Sequence, residues 1–357
     1  MKTDPCLMEL IETARRMPNR GRTHLFLGHP LSDGCDKTTV EPGNVYSPGV
    51  WTCGISLSFV VGSQMITPDL LADDQIRWIF ISRPGDPPLA ESTYSVGPLA
   101  IRHSLAHLGG EGAEGVDFNA VEIEAAQPTI ATIAILVRDV GPAGAKISSL
   151  AWDASARTLR INKSLLLICE PPPHDVLVAP AGGEWDSPAA ALAFRITARP
   201  GSPFGLSFRT EHGFDERPFA ASIPKRHPHS GLSVEQAFAR VTQDWQSALP
   251  ARIIAPDPRV PLAWERCAAH ILAAMEGGLP RIGAVNYPVF WMRDCVIVLR
   301  ALDLIGRHDL ARTGNDYLAP LVFSGGFGAE SDAPGEGIWA LVSHARITGN
   351  WSACQKW

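Results

Sequence analysis

A change of period about two-thirds of the way along limits what this chain can fold into more than any other feature. From about Tyr46 to Arg209, short β-rich runs recur at 54–61, 76–82, 130–137, 159–162, 164–169, 191–197 and 206–210. Between them stand clusters such as Arg-Pro-Gly-Asp-Pro-Pro at 83–88, Gly-Gly-Glu-Gly at 109–112 and Glu-Pro-Pro-Pro at 170–173. Proline removes a ladder N–H and glycine weakens a strand, so these clusters read as loops. Helical spacing is nearly missing here, which argues against β-α-β units and for an antiparallel sandwich.

Beyond residue 228 the period becomes helical. Ser233 is a suitable N-cap and Glu235 complements the dipole in the first turn. Ala237, Phe238, Val241 and Trp245 then share one face, so a connecting helix is expected. Ala-Pro-Asp-Pro-Arg-Val-Pro at 255–261 reads as a stiff linker. In the helix that follows, Trp264, Cys267, Ala268, Ile271, Leu272 and Met275 form an apolar stripe closed by Gly277 and Gly278. A second helix over about 292–305 is apolar almost all round and should be buried on most sides. A third covers about 308–322, and a fourth runs over about 334–348 and closes at Gly349. The division expected is a leader at 1–24, a β-sandwich at 25–230, a connecting helix and linker at 231–261, and a helical part at 262–357.

Composition agrees with a well-cored, two-part chain. It has 357 residues, 45% of them hydrophobic and 19% charged, which disfavours disorder. Thirty-one Lys and Arg stand against 37 Asp and Glu, so neither nucleic acid nor an anionic membrane is an expected partner. The N-terminus has no signal-peptide core, and the longest apolar runs are far too short to span a bilayer. Seven widely spread cysteines contain no Cys-x-x-Cys, so free thiols in a reducing cytoplasm are expected.

Two clusters carry possible chemistry. Asn-Tyr-Pro-Val-Phe-Trp-Met-Arg-Asp at 286–294 puts Tyr287, Phe290 and Trp291 beside Arg293 and Asp294. Rings of this kind stack on the apolar face of a pyranose while Arg and Asp bond its hydroxyls. The alternative is that Asp294 only caps a helix and the rings are core. The second cluster, Phe-Ser-Gly-Gly-Phe-Gly-Ala-Glu-Ser-Asp-Ala-Pro-Gly-Glu-Gly at 323–337, supplies Glu330, Asp332 and Glu336. A carboxylic acid of raised pKa can protonate a glycosidic oxygen while a second carboxylate activates water. Its alternative is an exposed turn with Asp332 as N-cap. The two clusters open helices two elements apart, and in a ring of helical hairpins those ends share one mouth. His-Pro-His at 227–229 lacks acidic partners, and no metal or other cofactor is expected, since carboxylates and water suffice.

The run at 287–294, Ala-Leu-Asp-Leu-Ile-Gly at 301–306 and Gly-Glu-Gly-Ile-Trp-Ala-Leu-Val-Ser-His-Ala-Arg-Ile-Thr-Gly at 335–349 resemble the six-hairpin, (α/α)6-barrel glycosidases. The likeness is greatest to the bacterial glucoamylase-like proteins of glycoside hydrolase family fifteen, which carry an N-terminal β-sandwich. The resemblance implies a sandwich followed by the first hairpins of an (α/α)6 barrel, and inverting hydrolysis of α-glucosides or related oligosaccharides. It implies that Arg293 and Asp294 hold the sugar at the cleavage point, with Trp291 adjacent; Tyr287 is a substrate-binding candidate from the cluster itself. The family's general acid stands on a later inner helix, so the resemblance implies Glu336 as a substrate-contact carboxylate, with general acid as the outside alternative. In a related branch the Asp of Trp-x-x-Asp is itself the acid, so Asp294 is open to both roles. Asp294 and Glu336 are thus the candidate catalytic carboxylates, with Asp332 as a substrate contact from the cluster itself. The family barrel needs twelve helices where this sequence shows four and the start of a fifth, so a truncated product with part of its inner ring facing water is expected. A non-catalytic carbohydrate-binding protein and a phosphorylase on the same fold are the competing readings.

Overall fold

A computed structural model describes residues 5–18, 21, 24–32, 36–49, 52–109, 115–162, 164–212, 229, 231–283, 290–321, 324–325 and 328–356. Helix α1 (Pro5–Arg16) precedes strands β1 (Leu25–Leu27), β2 (Thr38–Glu41), β3 (Val45–Ser47), β4 (Gly54–Val61) and β5 (Gln64–Ile66). There follow β6 (Arg77–Ile79), β7 (Ala90–Val96), β8 (Leu99–Leu108), β9 (Val116–Ala125), β10 (Thr129–Arg138) and β11 (Leu150–Asp153). The series ends with β12 (Thr158–Ile161), β13 (Leu165–Glu170), β14 (Asp175–Ala179), β15 (Ala189–Ala198) and β16 (Phe204–His212). Among the described residues these form two eight-stranded antiparallel sheets. One has the order β1-β2-β3-β4-β10-β15-β14 with β5 beside β4, and the other β11-β12-β13-β16-β9-β8-β7-β6.

The inner faces meet in one apolar core. On β10, Ile133 lies opposite Phe59 of β4 and Phe194 of β15, and all three are fully buried. Alternate residues of the same strand, Ala134 and Leu136, point to the other face, where Leu10, Ile11 and Ala14 of α1 cover them. Burial on both sides is why β10 reads as nearly continuous apolar sequence. A polar helix or mobile leader is expected at the N-terminus, yet α1 is amphipathic and docked. Its Leu7, Leu10, Ile11 and Ala14 recur at i, i+3, i+4 and i+7 and are buried. Burying a leucine or isoleucine contributes about 1.5–3 kcal/mol, enough to hold a short helix that would be marginal alone.

Helix α2 (Val234–Ala248) caps the second sheet. Ser233 and Gln236 form a capping box, and Ala237 and Val241 pack on Ala106, Leu108, Val116 and Phe118 of β8 and β9.

The helical part comprises α3 (Arg259–Ala274), α4 (Met292–Leu304), α5 (His308–Leu318), α6 (Ala333–Thr348) and the short α7 (Ser352–Lys356). Helix α3 starts inside the expected linker. Its buried face carries Glu265, Ala268, Ala269, Leu272 and Ala273, and Cys267, expected in the stripe, is exposed. The face is rotated because α3 lies against the sandwich. Glu265 accepts from the Gly85 N–H at 2.6 Å, and Arg266 donates to the Ile81 carbonyl at 3.0 Å.

Helix α4 is the hub. Met292, Cys295, Val296, Leu299 and Leu302 pack with Leu272 of α3, Leu310 and Leu318 of α5 and Ala340 of α6. Gly314 of α5 is a close-approach position, since a Cβ there would fall 2.2 Å from Leu299. The expectation that α4 is buried on most sides needs correction. Its neighbours lie on one side, and Ile297 and Leu304 are 62% and 63% exposed. No helix among the described residues is long and apolar enough to cross a membrane.

Candidate active site

The starts of α4 and α6 meet around one guanidinium. Arg293, in the first turn of α4, donates to Asp332 at 3.0 Å and to Glu330 at 3.3 Å, and its Nε lies 3.6 Å from a Glu336 oxygen. Trp291 stands at the N-cap position of α4, and its indole N–H donates to the other Glu330 oxygen at 2.9 Å. Five residues singled out from sequence, Trp291, Arg293, Glu330, Asp332 and Glu336, therefore belong to one cluster. Asp294 lies on the exposed side of α4 next to Arg293. Tyr287 lies outside the described residues.

Local sequence explains the placement. Two apolar helices, α4 and α6, share a buried interface through Val296, Leu299 and Ala340, which fixes their starts together. Carboxylates at those starts are favoured by the helix dipoles. Asp332 occupies the N-cap position of α6 but makes no capping bond. Its carboxylate instead accepts from Arg293, a charge-assisted bond.

Asp332 and Glu336 are pushed in opposite directions. The Arg293 hydrogen bond holds Asp332 below the usual carboxylate range, and in turn the bond to Asp332 raises Arg293. Glu336 goes the other way. Burial pushes its carboxyl up, and the negative charges of Asp332, Glu330 and Asp294 add to that, with Arg293 opposing. Its side chain is 21% exposed, and its Oε2 is buried without a hydrogen-bond partner among the described residues. A carboxyl pushed up thus sits beside Asp332, which is pushed down, with one guanidinium acting on both.

Glu330, named from sequence with Asp332 and Glu336, makes a contact that spacing does not show. It stands in the loop before α6, where no helical spacing ties it to Trp291, and only the contact reveals that it bridges indole and guanidinium. Two neighbours are structural. Burial pushes the Cys295 thiol up to about 11, which makes it a poor nucleophile at neutral pH. The Phe290 ring is 3.7 Å from the Arg281 guanidinium carbon and 4.6 Å from the Tyr317 ring. His344 bonds buried Asp303 at 3.0 Å, and His308 meets the same carboxylate at 2.9 Å.

No family model matches the chain, and no curated protein matches it. Solved structures do share its fold. A bacterial glucoamylase complexed with acarbose superposes with a TM-score of 0.58 at 10% identity, over 92% of this chain and 57% of that one. A kojibiose phosphorylase from the human microbiome gives a TM-score of 0.51 at 8% identity, over 90% of this chain and 49% of that one. This chain therefore spans about half the length of either structure. At such identities the likeness is one of fold.

Proposed function

We propose that this chain is the sandwich and the first hairpins of a carbohydrate-active, (α/α)6-type enzyme, with the mouth between α4 and α6 as part of its sugar site. Trp291, with Tyr287 expected beside it, stacks on a pyranose face. Arg293 and ionised Asp332 bond its hydroxyls. Glu336 donates the proton to the glycosidic oxygen, and Asp294 is the second catalytic carboxylate. An inverting reaction needs its two carboxylates about 6.5–9.5 Å apart, with water between. Inverting hydrolysis of an α-glucoside or related oligosaccharide is the reading we favour, in a cytoplasmic enzyme that needs no cofactor.

One observation carries the reading: a half-buried Glu336 of raised pKa, held beside Arg293 and three more acidic groups. A carboxyl pushed above its ordinary range beside a fixed cation is the kind of group that serves as a general acid. The test is sugar release by the native polypeptide from a panel of α-linked oligosaccharides. Glu336→Gln and Asp294→Asn should each lower kcat by about 10²–10⁴-fold, the span typical of removing an acid–base group. Full activity in both variants would sink the assignment. Phosphorolysis is kept as a second reading because the fold is shared with a phosphorylase. Strict dependence of sugar release on inorganic phosphate would select it. Quenching of tryptophan fluorescence by sugar, abolished by Trp291→Phe, with no turnover would select a binding protein instead.

A further inference from the structure

The sandwich holds a second constellation, remote from Glu336. On β8 and β9, His107 and Asp117 are cross-strand partners, and β16 pairs with β9 beside them and ends in His212. The Nδ1 of His107 lies 3.0 Å from one Asp117 oxygen, and the Nε2 of His212 lies 2.8 Å from the other. All three side chains have no exposed surface, and one donor atom from each falls within 4.8 Å of the other two.

We propose that His107, His212 and Asp117 bind a divalent first-row cation of the zinc type between the two sheets. Two imidazoles and a carboxylate are a common ligand set for zinc, at about 2.0–2.2 Å from each donor. The surroundings supply what such ligands need. Asp36, just before β2, faces the far nitrogen of each ring, with its oxygens 3.1 Å from His212 Nδ1 and 3.7 Å from His107 Nε2. A carboxylate behind a ligating imidazole fixes its tautomer and raises its basicity. The Gly115 N–H holds Asp36 at 2.9 Å, and the Thr38 hydroxyl donates to Asp117 at 2.6 Å and lies 3.3 Å from His107 Nδ1. Gly115 admits no larger residue, because a Cβ would fall 2.4 Å from both His107 and Asp36. Two buried carboxylates need two positive charges nearby. A dication between neutral rings provides them and joins Asp36 and Thr38 of one sheet to β8, β9 and β16 of the other. The site is buried within the sandwich, on strands that carry none of the residues of the proposed sugar chemistry.

The test uses untagged protein, stripped with chelator, loaded with Zn²⁺ or Co²⁺ and gel-filtered. One equivalent of metal should stay with each chain, the Co²⁺ form should show visible bands of a low-symmetry nitrogen–oxygen site, and the melting temperature should rise on loading. His212→Gln and Asp117→Asn should lose the equivalent, while His227→Gln with His229→Gln should keep it. A folded wild-type chain that retains no metal, with both imidazoles doubly protonated by nitrogen NMR, would overturn the proposal. Retention unchanged in His212→Gln would also overturn it, since the ion would then sit elsewhere. If the variants do not fold, the wild-type Co²⁺ spectrum decides, and a spectrum without imidazole ligation counts against the site.

Discussion

At Glu336, burial and three acidic neighbours favour the neutral acid, and only Arg293 favours the anion. A carboxyl with a folded-state pKa above its ordinary value of 4.5 stabilises the fold most when it is protonated, below that value. The contribution is lost as pH rises through the raised pKa. At neutral pH the wild type therefore carries a charge that the site disfavours. Glu336→Gln should melt higher than wild type at pH 7, with the gap closing on acidification below about pH 4, where the wild-type carboxyl is neutral too. Thermal melts across pH would check this, and a variant that melts lower than wild type at pH 7 would contradict the electrostatic account. Arg293→Met should raise the pKa of both Asp332 and Glu336, because the same cation lowers both. Carboxyl-carbon NMR titration would read the two shifts.

Among the elements, Gly314 sets how closely α5 approaches α4. Gly314→Ala would drive a methyl into Leu299, and overpacking of this kind costs about 1–3 kcal/mol. Denaturant unfolding should show that loss. Leu10→Ala should be worse, about 2–5 kcal/mol, since Leu10 is fully buried between α1 and the first sheet. The same elements show how legible the chain is. Ser233 as cap of α2, the start of α4 at Met292 and the end of α6 at Gly349 follow from local chemistry, and the structure has them there. Helix α1 looks polar because Glu9, Glu12, Arg15 and Arg16 dominate its composition, although its apolar spacing is regular. The stripe of α3 is misjudged for a different reason. Which apolar face a helix buries depends on the neighbour it meets, and that neighbour is a loop of the sandwich some 180 residues earlier. In the candidate active site the clustered residues are legible, Glu330 among them, but the bond from Trp291 to Glu330 is not, because no helical spacing links a loop carboxylate to that ring. The His107, Asp117 and His212 group cannot be read at all from spacing, because its members come from three strands and alternation marks each only as one polar position.

For the molecule as a whole, two helices cover the outer faces of the sandwich while the helical part remains one-sided. Ile297 and Leu304 of α4 and Ile338 and Trp339 of α6 are exposed. Large exposed apolar side chains of this kind mark surfaces that associate. The 38.4 kDa chain should therefore bind a hydrophobic dye strongly in its native state, and Ile297→Lys with Ile338→Lys should lower the fluorescence several-fold. Unchanged fluorescence would mean that these side chains are covered in solution.

The strand order also bears on how the protein is made. Strand β16 lies between β9 and β13, so the second sheet stays open until residue 212 has left the ribosome. Until then β9 and β13 each present a bare hydrogen-bonding edge, which is the surface that invites mispairing. Helices α4 to α6 depend on nearer neighbours and can form within moments of synthesis. The slow, hazardous stage of biogenesis therefore belongs to the N-terminal two-thirds. A rare-codon pause or a chaperone would matter most just after β16 emerges, when the last gap in the sheet is about to close.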